Sequence, residues 1–273
     1  SVKANGNLSS LRRLGELGCG ADITSAGELL RARRAGIPPE MIVFAGVGKK
    51  ADEMRQALAA GIHAFNVESS GELERLDAVA AEMGVRAPFA LRVNPDVHSP
   101  TPHEYTATGH AATKFGVPFL EAADLYRWAA GRAHLEARGI DVHIGSQIIE
   151  TEPYLRALDR VLSLARELNE EGLHLEFLDM GGGFGIPYEE GPELDVQALA
   201  AQVVPRVRDA GLRLMLEPGR SIVGDAGVLL TRVQYVKRAG KTFVIVDGGM
   251  TEMIRPSHYG GYHDIERVDT RQV

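Results

Sequence analysis

Apolar positions along the chain alternate between two periods. Leu8, Leu11, Leu14 and Leu17 recur at helical spacing and are closed by Gly18, after which Gly20 to Thr24 reads as a short strand. Ser25 with Glu28 forms an S-x-x-E capping box that opens a helix stopped at Gly36, and the strand Met41 to Ala45 follows. A helix around Met54 to Ala60 ends at Gly61 and gives way to a strand at His63 to Val67, and Ser69 with Glu72 repeats the box. Further strands are expected near Phe89 to Val93, Ile140 to Ile144, Leu175 to Met180 and Leu212 to Leu216, with amphipathic helices between them. Val2-Lys3 reads as the end of a strand whose beginning is absent, which brings the count to eight and suggests a fragment lacking both termini.

Eight strands, each followed by a helix, predict an α/β protein in which a (β/α)8 barrel has every strand end on one face. A doubly wound open sheet is the competing fold, but no dinucleotide fingerprint follows an early strand. After residue 223 the alternation stops: Val228 to Val236 and Thr242 to Val246 read as strands joined by the turn Arg238-Ala239-Gly240-Lys241. We therefore expect the barrel over 1–223 and the start of an all-β C-terminal domain over 224–273. The long stretch Pro95 to Phe115 interrupts the barrel pattern and has the length of a functional loop.

Composition narrows the partners. With 30 Lys plus Arg against 37 Asp plus Glu, the net charge of −7 offers no positive field for nucleic acid or an anionic membrane. The apolar runs fall well short of the roughly 20 residues that cross a bilayer. One cysteine, Cys19, makes neither an internal disulfide nor a cysteine-based zinc site, so a reducing, cytoplasmic setting is expected; with the charge balance, a small-molecule ligand and no metal complete the expectation.

If the barrel is right, its strand ends converge. They are polar: Lys3, Asp22, Glu68, Arg92 with Asn94, His143 with Ser146, Gly181 to Gly183 after Asp179, and Glu217 with Arg220. The glycine run leaves backbone N–H groups open to an anion, and Glu217-Pro218-Gly219-Arg220 brings a further glycine and a guanidinium to the same place. A desolvated Lys3 amine would be a nucleophile toward an aldehyde. A phosphate site, a reactive lysine, a flat partner in His143 and an acid in Glu217 are all accounted for by pyridoxal 5'-phosphate. A bare glycine turn and a solvated lysine are the plainer alternatives.

Val2-Lys3-Ala4-Asn5, Asp141-Val142-His143-Ile144-Gly145-Ser146-Gln147, Gly181 to Gly185 and Glu217 to Arg220 together resemble the barrel-type pyridoxal-phosphate decarboxylases. Asp247-Gly248-Gly249-Met250, Ile254-Arg255-Pro256 and Tyr259 to His263 are more narrowly similar to the diaminopimelate decarboxylases of lysine biosynthesis. Between Pro256 and Tyr259 the family usually carries small or apolar residues, where Ser257 and His258 stand here. The resemblance implies Lys3 as the Schiff-base lysine, His143 stacked on the ring and Glu217 facing its nitrogen. It further implies Asp22, Ser146, Gly182, Gly183, Pro218, Gly219 and Arg220 around the cofactor, and Arg220, Arg255 and Tyr259 toward the distal end of an amino-acid substrate. The implied reaction is decarboxylation of meso-2,6-diaminopimelate to L-lysine in a homodimer with shared sites. The proton-donating cysteine would come from a Cys-Glu-Ser motif of the neighbouring subunit, a motif that Cys19 does not match, so residues 1–273 alone are expected to turn over little. A racemase, a decarboxylase of ornithine or arginine, and a non-catalytic cofactor carrier are the rivals; Glu217, Arg255 and the β tail respectively speak against them.

Overall fold

The computed structural model describes residues 1–97, 109, 113–188 and 191–268; most of the long loop expected at Pro95 to Phe115 lies outside these residues. Seven parallel strands form one curled path in chain order: β1 (Ala21–Ile23), β2 (Ile42–Phe44), β3 (Ala64–Val67), β4 (Ala87–Asn94), β6 (Leu135–Asp141), β7 (Phe177–Asp179) and β8 (Arg213–Met215), while the two-residue β5 (Val117–Pro118) pairs with the end of β4. Helices α1 (Leu8–Glu16), α2 (Ala26–Arg34), α3 (Ala51–Ala60), α4 (Ser70–Met83), α5 (Phe119–Ala130), α6 (Glu152–Glu170) and α7 (Val196–Asp209) fill the crossovers. The fold is an α/β barrel of the (β/α)8 kind, followed by a separate antiparallel hairpin, β9 (Val233–Ala239) with β10 (Lys241–Val246).

Local signals account for most boundaries. Ser25 Oγ and Ser69 Oγ each accept the N–H of the glutamate three residues on, at 3.2 Å, satisfying a donor that a helix start leaves open. Neither glutamate closes the box on its own cap: Glu28 accepts from Thr24 N–H and Glu72 from Glu68 N–H, one residue earlier, where each ties the preceding strand end to the helix. Gly61 and Gly84 end α3 and α4 in the left-handed conformation.

The eighth position is occupied differently from the expectation. Val2–Ala4 is a single 3-10 turn, not a strand end, held by Ala4 N–H on Ser1 O and Asn5 N–H on Val2 O. It bridges the two ends of the sheet path. The Ser1 amino group donates to Pro218 O at 2.9 Å beyond β8, and Ser1 Oγ donates to Asp22 Oδ2 at 2.7 Å in β1. The fifth long strand also begins earlier than its apolar run, because Leu135–Glu136–Ala137 pair with β4 while Glu136 and Arg138 stay half-exposed.

Strand period explains the interior. Ala64, Ala90, Phe177 and Met215 share the inner face and form a small apolar cluster. Gly139 belongs there too, since a Cβ on it would stand 2.5 Å from the Phe177 ring. Residues two further along point the same way, one layer nearer the strand ends. That layer is Asn66, Arg92, Asp141, Asp179 and Glu217, with Asp22 beside them from β1. An apolar plug thus carries a polar floor.

Candidate active site

The floor is crowded with acid. Single ligand atoms of Asp141, Asp179 and Glu217 lie within 4.8 Å of one another, and Asp141 and Asp179 are fully buried. Burial first, then the Glu217 charge, drives the Asp141 carboxyl well above the usual carboxylate range. Burial and the Asp179 charge do the same to Glu217, against the pull of Lys3 and Arg92. Arg92 offsets part of this charge, but it is also bound to Glu68 at 3.0 Å and lies 4.9 Å over the Phe115 ring. Glu68 accepts Gly116 N–H at 3.2 Å, so this pair anchors the returning end of the long loop.

Above the floor, His143 follows β6. Gly182 N–H donates to His143 Nδ1 at 3.1 Å, which requires that nitrogen to be unprotonated and leaves the ring neutral with its proton on Nε2. Burial, with the Arg92 and Lys3 charges, agrees by holding the imidazole well below its ordinary pKa. Lys3, on the amino-terminal turn, is exposed, and its charge reaches both His143 and Glu217. The turn therefore brings Lys3, His143 and Glu217 into one electrostatic neighbourhood.

The glycine run works differently from an open anion nest. Gly181 N–H is taken by Asp179 Oδ1 at 2.9 Å and Gly182 N–H by His143, because the strand-end side chains they meet are themselves buried and need donors. The reason for glycine at Gly182 is close approach: a Cβ there would stand 2.2 Å from Glu217 O. At Gly183, in the left-handed region, it would stand 2.1 Å from Gly145 O. Donors for an anion remain in Ser146 Oγ and Arg220. Arg220 leads the short helix α8 (Arg220–Val223) and donates to Ser146 Oγ at 3.1 Å and to the Tyr188 hydroxyl, while its buried Nε has no partner. Gly219 packs against the turn, its Cβ position 3.1 Å from Ala4.

Tyr188 was not among the expected site residues. Arg255, on α9 (Arg255–Tyr259), lies 4.5 Å over the Tyr188 ring, and Arg220 lies 5.7 Å from the same ring. Arg255 also meets His263 at 3.2 Å, whose ring packs edge-on to Tyr188. Tyr259 stands at the end of α9 with its ring edge-on to His258. Cys19 is exposed in the loop after α1. Asn66, also unanticipated, donates from Nδ2 to Glu217 Oε1 at 3.1 Å, and its backbone carbonyl accepts from the buried Lys49 ammonium at 2.7 Å. Only a pairing across 151 residues reveals it, so no local pattern could have pointed there.

Residues 1–224 match the family model described as pyridoxal-dependent decarboxylase, pyridoxal binding domain. The chain belongs to the pyridoxal-dependent decarboxylases. It is 50% identical over 275 residues to the diaminopimelate decarboxylase of Pseudomonas aeruginosa, covering 100% of this chain and 66% of that protein. It is 48% identical to that of Aquifex aeolicus, covering 65% of it. The crystal structure of diaminopimelate decarboxylase from Helicobacter pylori complexed with L-lysine superposes with a TM-score of 0.93 at 42% identity, covering 96% of this chain and 66% of that one. The chain thus spans just under two thirds of the length of these relatives. As in other pyridoxal-dependent decarboxylases, the cofactor is pyridoxal phosphate, and the donor set fits it. Ser146, Arg220 with its unsatisfied Nε, a neutral imidazole, a buried acid and a primary amine supply what a phosphate, a flat ring, a ring nitrogen and an aldehyde each require.

Proposed function

We propose that this chain is the cofactor-binding part of an enzyme that decarboxylates meso-2,6-diaminopimelate to L-lysine. The observation that carries the substrate choice is the pair of guanidinium groups, Arg220 and Arg255, set about Tyr188. A substrate with a carboxylate at its far end pairs with such cations, whereas ornithine or arginine would leave Arg255 without an anion. The names of the relatives support the same choice.

When bound, the cofactor supplies an electron sink for the pair left as carbon dioxide departs. Lys3 holds the aldehyde carbon through its amine. His143 presents a neutral ring face, kept in one tautomer by Gly182 N–H. Glu217 holds a proton at the ring nitrogen, and Asn66 fixes its orientation. Ser146, Gly183, Gly219 and Arg220 face the phosphate, with Asp22, Gly182 and Pro218 shaping the wall behind them. Arg220, Arg255 and Tyr259 face the distal end of the substrate. Residues 1–223 form the cofactor barrel and 224–273 begin the β domain, whose hairpin exposes Tyr235, Val236, Phe243 and Val244. The active form is a cytoplasmic homodimer in which the partner would supply the acid that returns a proton to the substrate. Among the described residues no helix is long and apolar enough to cross a membrane.

Release of labelled carbon dioxide by the complete enzyme from diaminopimelate, ornithine, arginine and lysine tests the choice of substrate. Diaminopimelate is expected to be turned over fastest, and faster release from ornithine would overturn it. Borohydride trapping with peptide mapping tests Lys3: the label belongs on the peptide that contains Lys3.

A further inference from the structure

The polar floor contains more acid than the proposed chemistry uses. Glu217 faces the cofactor, yet Asp179 and Asp141 lie behind it at the same depth with no assigned task. Asp179 Oδ1 accepts Gly181 N–H at 2.9 Å, but its Oδ2 is buried without a partner, as is Asp141 Oδ1. Glu217 Oε1 already accepts from Asn66. Asp179 and the partly buried Glu217 abut within hydrogen-bonding reach, and one proton shared between them satisfies the Asp179 oxygen that lacks a donor.

We propose that Asp179 is the proton partner of Glu217: as a neutral acid it donates to the Glu217 oxygen that Asn66 leaves open, and so holds Glu217 as the carboxylate that faces the ring nitrogen. This rests on the placement of Glu217 under Proposed function and gives its charge state a cause. The balance is simple. When Glu217 passes its proton to the ring nitrogen, its O–H bond breaks and an N–H bond forms; the Asp179 proton stays on Asp179 and its hydrogen bond offsets the new carboxylate charge. Asp179 touches neither substrate nor cofactor and is a positioning residue. Burial and the Asp141 charge push the Asp179 carboxyl up to about 8 even though its hydrogen bonds with Gly181 N–H and Glu217 draw it down, so Asp179 carries its proton at neutral pH. The other groups facing this pair are Asp22 from β1, Glu68 beyond β3, Arg92 from β4, Asp141 and His143 from β6, and Lys3 from the amino-terminal turn. Of these, Asp141 does most after burial to raise the Asp179 carboxyl.

The test is nitrogen-15 NMR of the chain loaded with ring-labelled pyridoxal phosphate, titrated from about pH 6 to 9. The unaltered chain is expected to show a protonated ring nitrogen at neutral pH and an inflection as Asp179 ionises. Asp179→Asn keeps a donor and the Gly181 contact but cannot ionise, so the neutral-pH signal should survive and the inflection should be lost. The same inflection in a loaded Asp179→Asn chain overturns the proposal. Glu217→Gln tests the reading beneath it separately, by abolishing the protonated signal. Should Asp179→Asn fail to fold, Asp141→Asn serves: removal of that charge moves the inflection to lower pH, and an unmoved inflection overturns the proposal equally.

Discussion

Gly182 N–H donates to His143 Nδ1 at 3.1 Å, and the same glycine leaves no room for a Cβ beside Glu217 O. One residue therefore fixes the tautomer of the ring on one side and the position of the acid on the other.

Gly182→Ala should move both at once. Its methyl group would meet backbone at 2.2 Å, so the ends of β7 and β8 must separate. We expect pyridoxal phosphate affinity to fall at least about tenfold, the equivalent of about 1.4 kcal/mol, with the loss read from an absorbance titration. Unchanged affinity would show that the close approach does not position the site.

Lys49 and Glu72 form a buried ion pair at 2.6 Å, with side chains 1% and 8% exposed. Lys49→Met leaves Glu72 buried without its cation and withdraws donors from Gly46 O and Asn66 O. Breaking such a pair costs on the order of 3 to 5 kcal/mol. Chemical denaturation should show a loss of that size, and replacing both partners by apolar residues should recover part of it. A loss below about 1 kcal/mol would place the pair among the weak ones.

What the sequence made legible was local. Ser25, Ser69, Gly61 and Gly84 mark helix ends because caps and left-handed turns depend on neighbours a few residues away, and their positions in the structure agree with the pattern. Strand ends carrying His143 and Glu217 followed from the same alternation. Asn66, Lys49 and Tyr188 did not, because their meaning comes from closure of the sheet: Asn66 becomes a partner of Glu217 only when β3 and the end of β8 face one interior. Val2–Ala4 went the other way. Its apolar Val2 is buried as a strand residue would be, but its hydrogen bonds turn back on themselves.

The buried acids make the cofactor-free chain sensitive to alkali. The Asp179 carboxyl is pushed up to about 8 against an ordinary value near 3.9, so the folded chain keeps a proton that the unfolded chain has released. Stability from this source is complete below the unfolded value and is lost as pH rises through the folded one. Asp141 and Glu217 act in the same direction. His143 is held low and acts oppositely, losing stability only as pH falls below about 6.5, so a window above pH 7 isolates the acids. The melting temperature should fall between about pH 7 and 9, and Asp179→Asn should shrink that fall. An equal fall in both would mean that Asp179 ionises at no cost to the fold.

Arg255 supplies the sharpest test of substrate choice. Its guanidinium lies over Tyr188, which also receives Arg220, so the two cations share one aromatic support. Arg255→Ala removes a charge-assisted partner for a distal carboxylate, a contact of about 1.5 to 3 kcal/mol. The Michaelis constant for diaminopimelate should rise by about ten- to a hundredfold with kcat little changed, because a contact made equally in the ground and transition states affects binding alone. Ornithine, which lacks that carboxylate, provides the control: its Michaelis constant should not rise. A parallel rise for both substrates would mean that Arg255 supports the fold of this corner and does not read the substrate's far end.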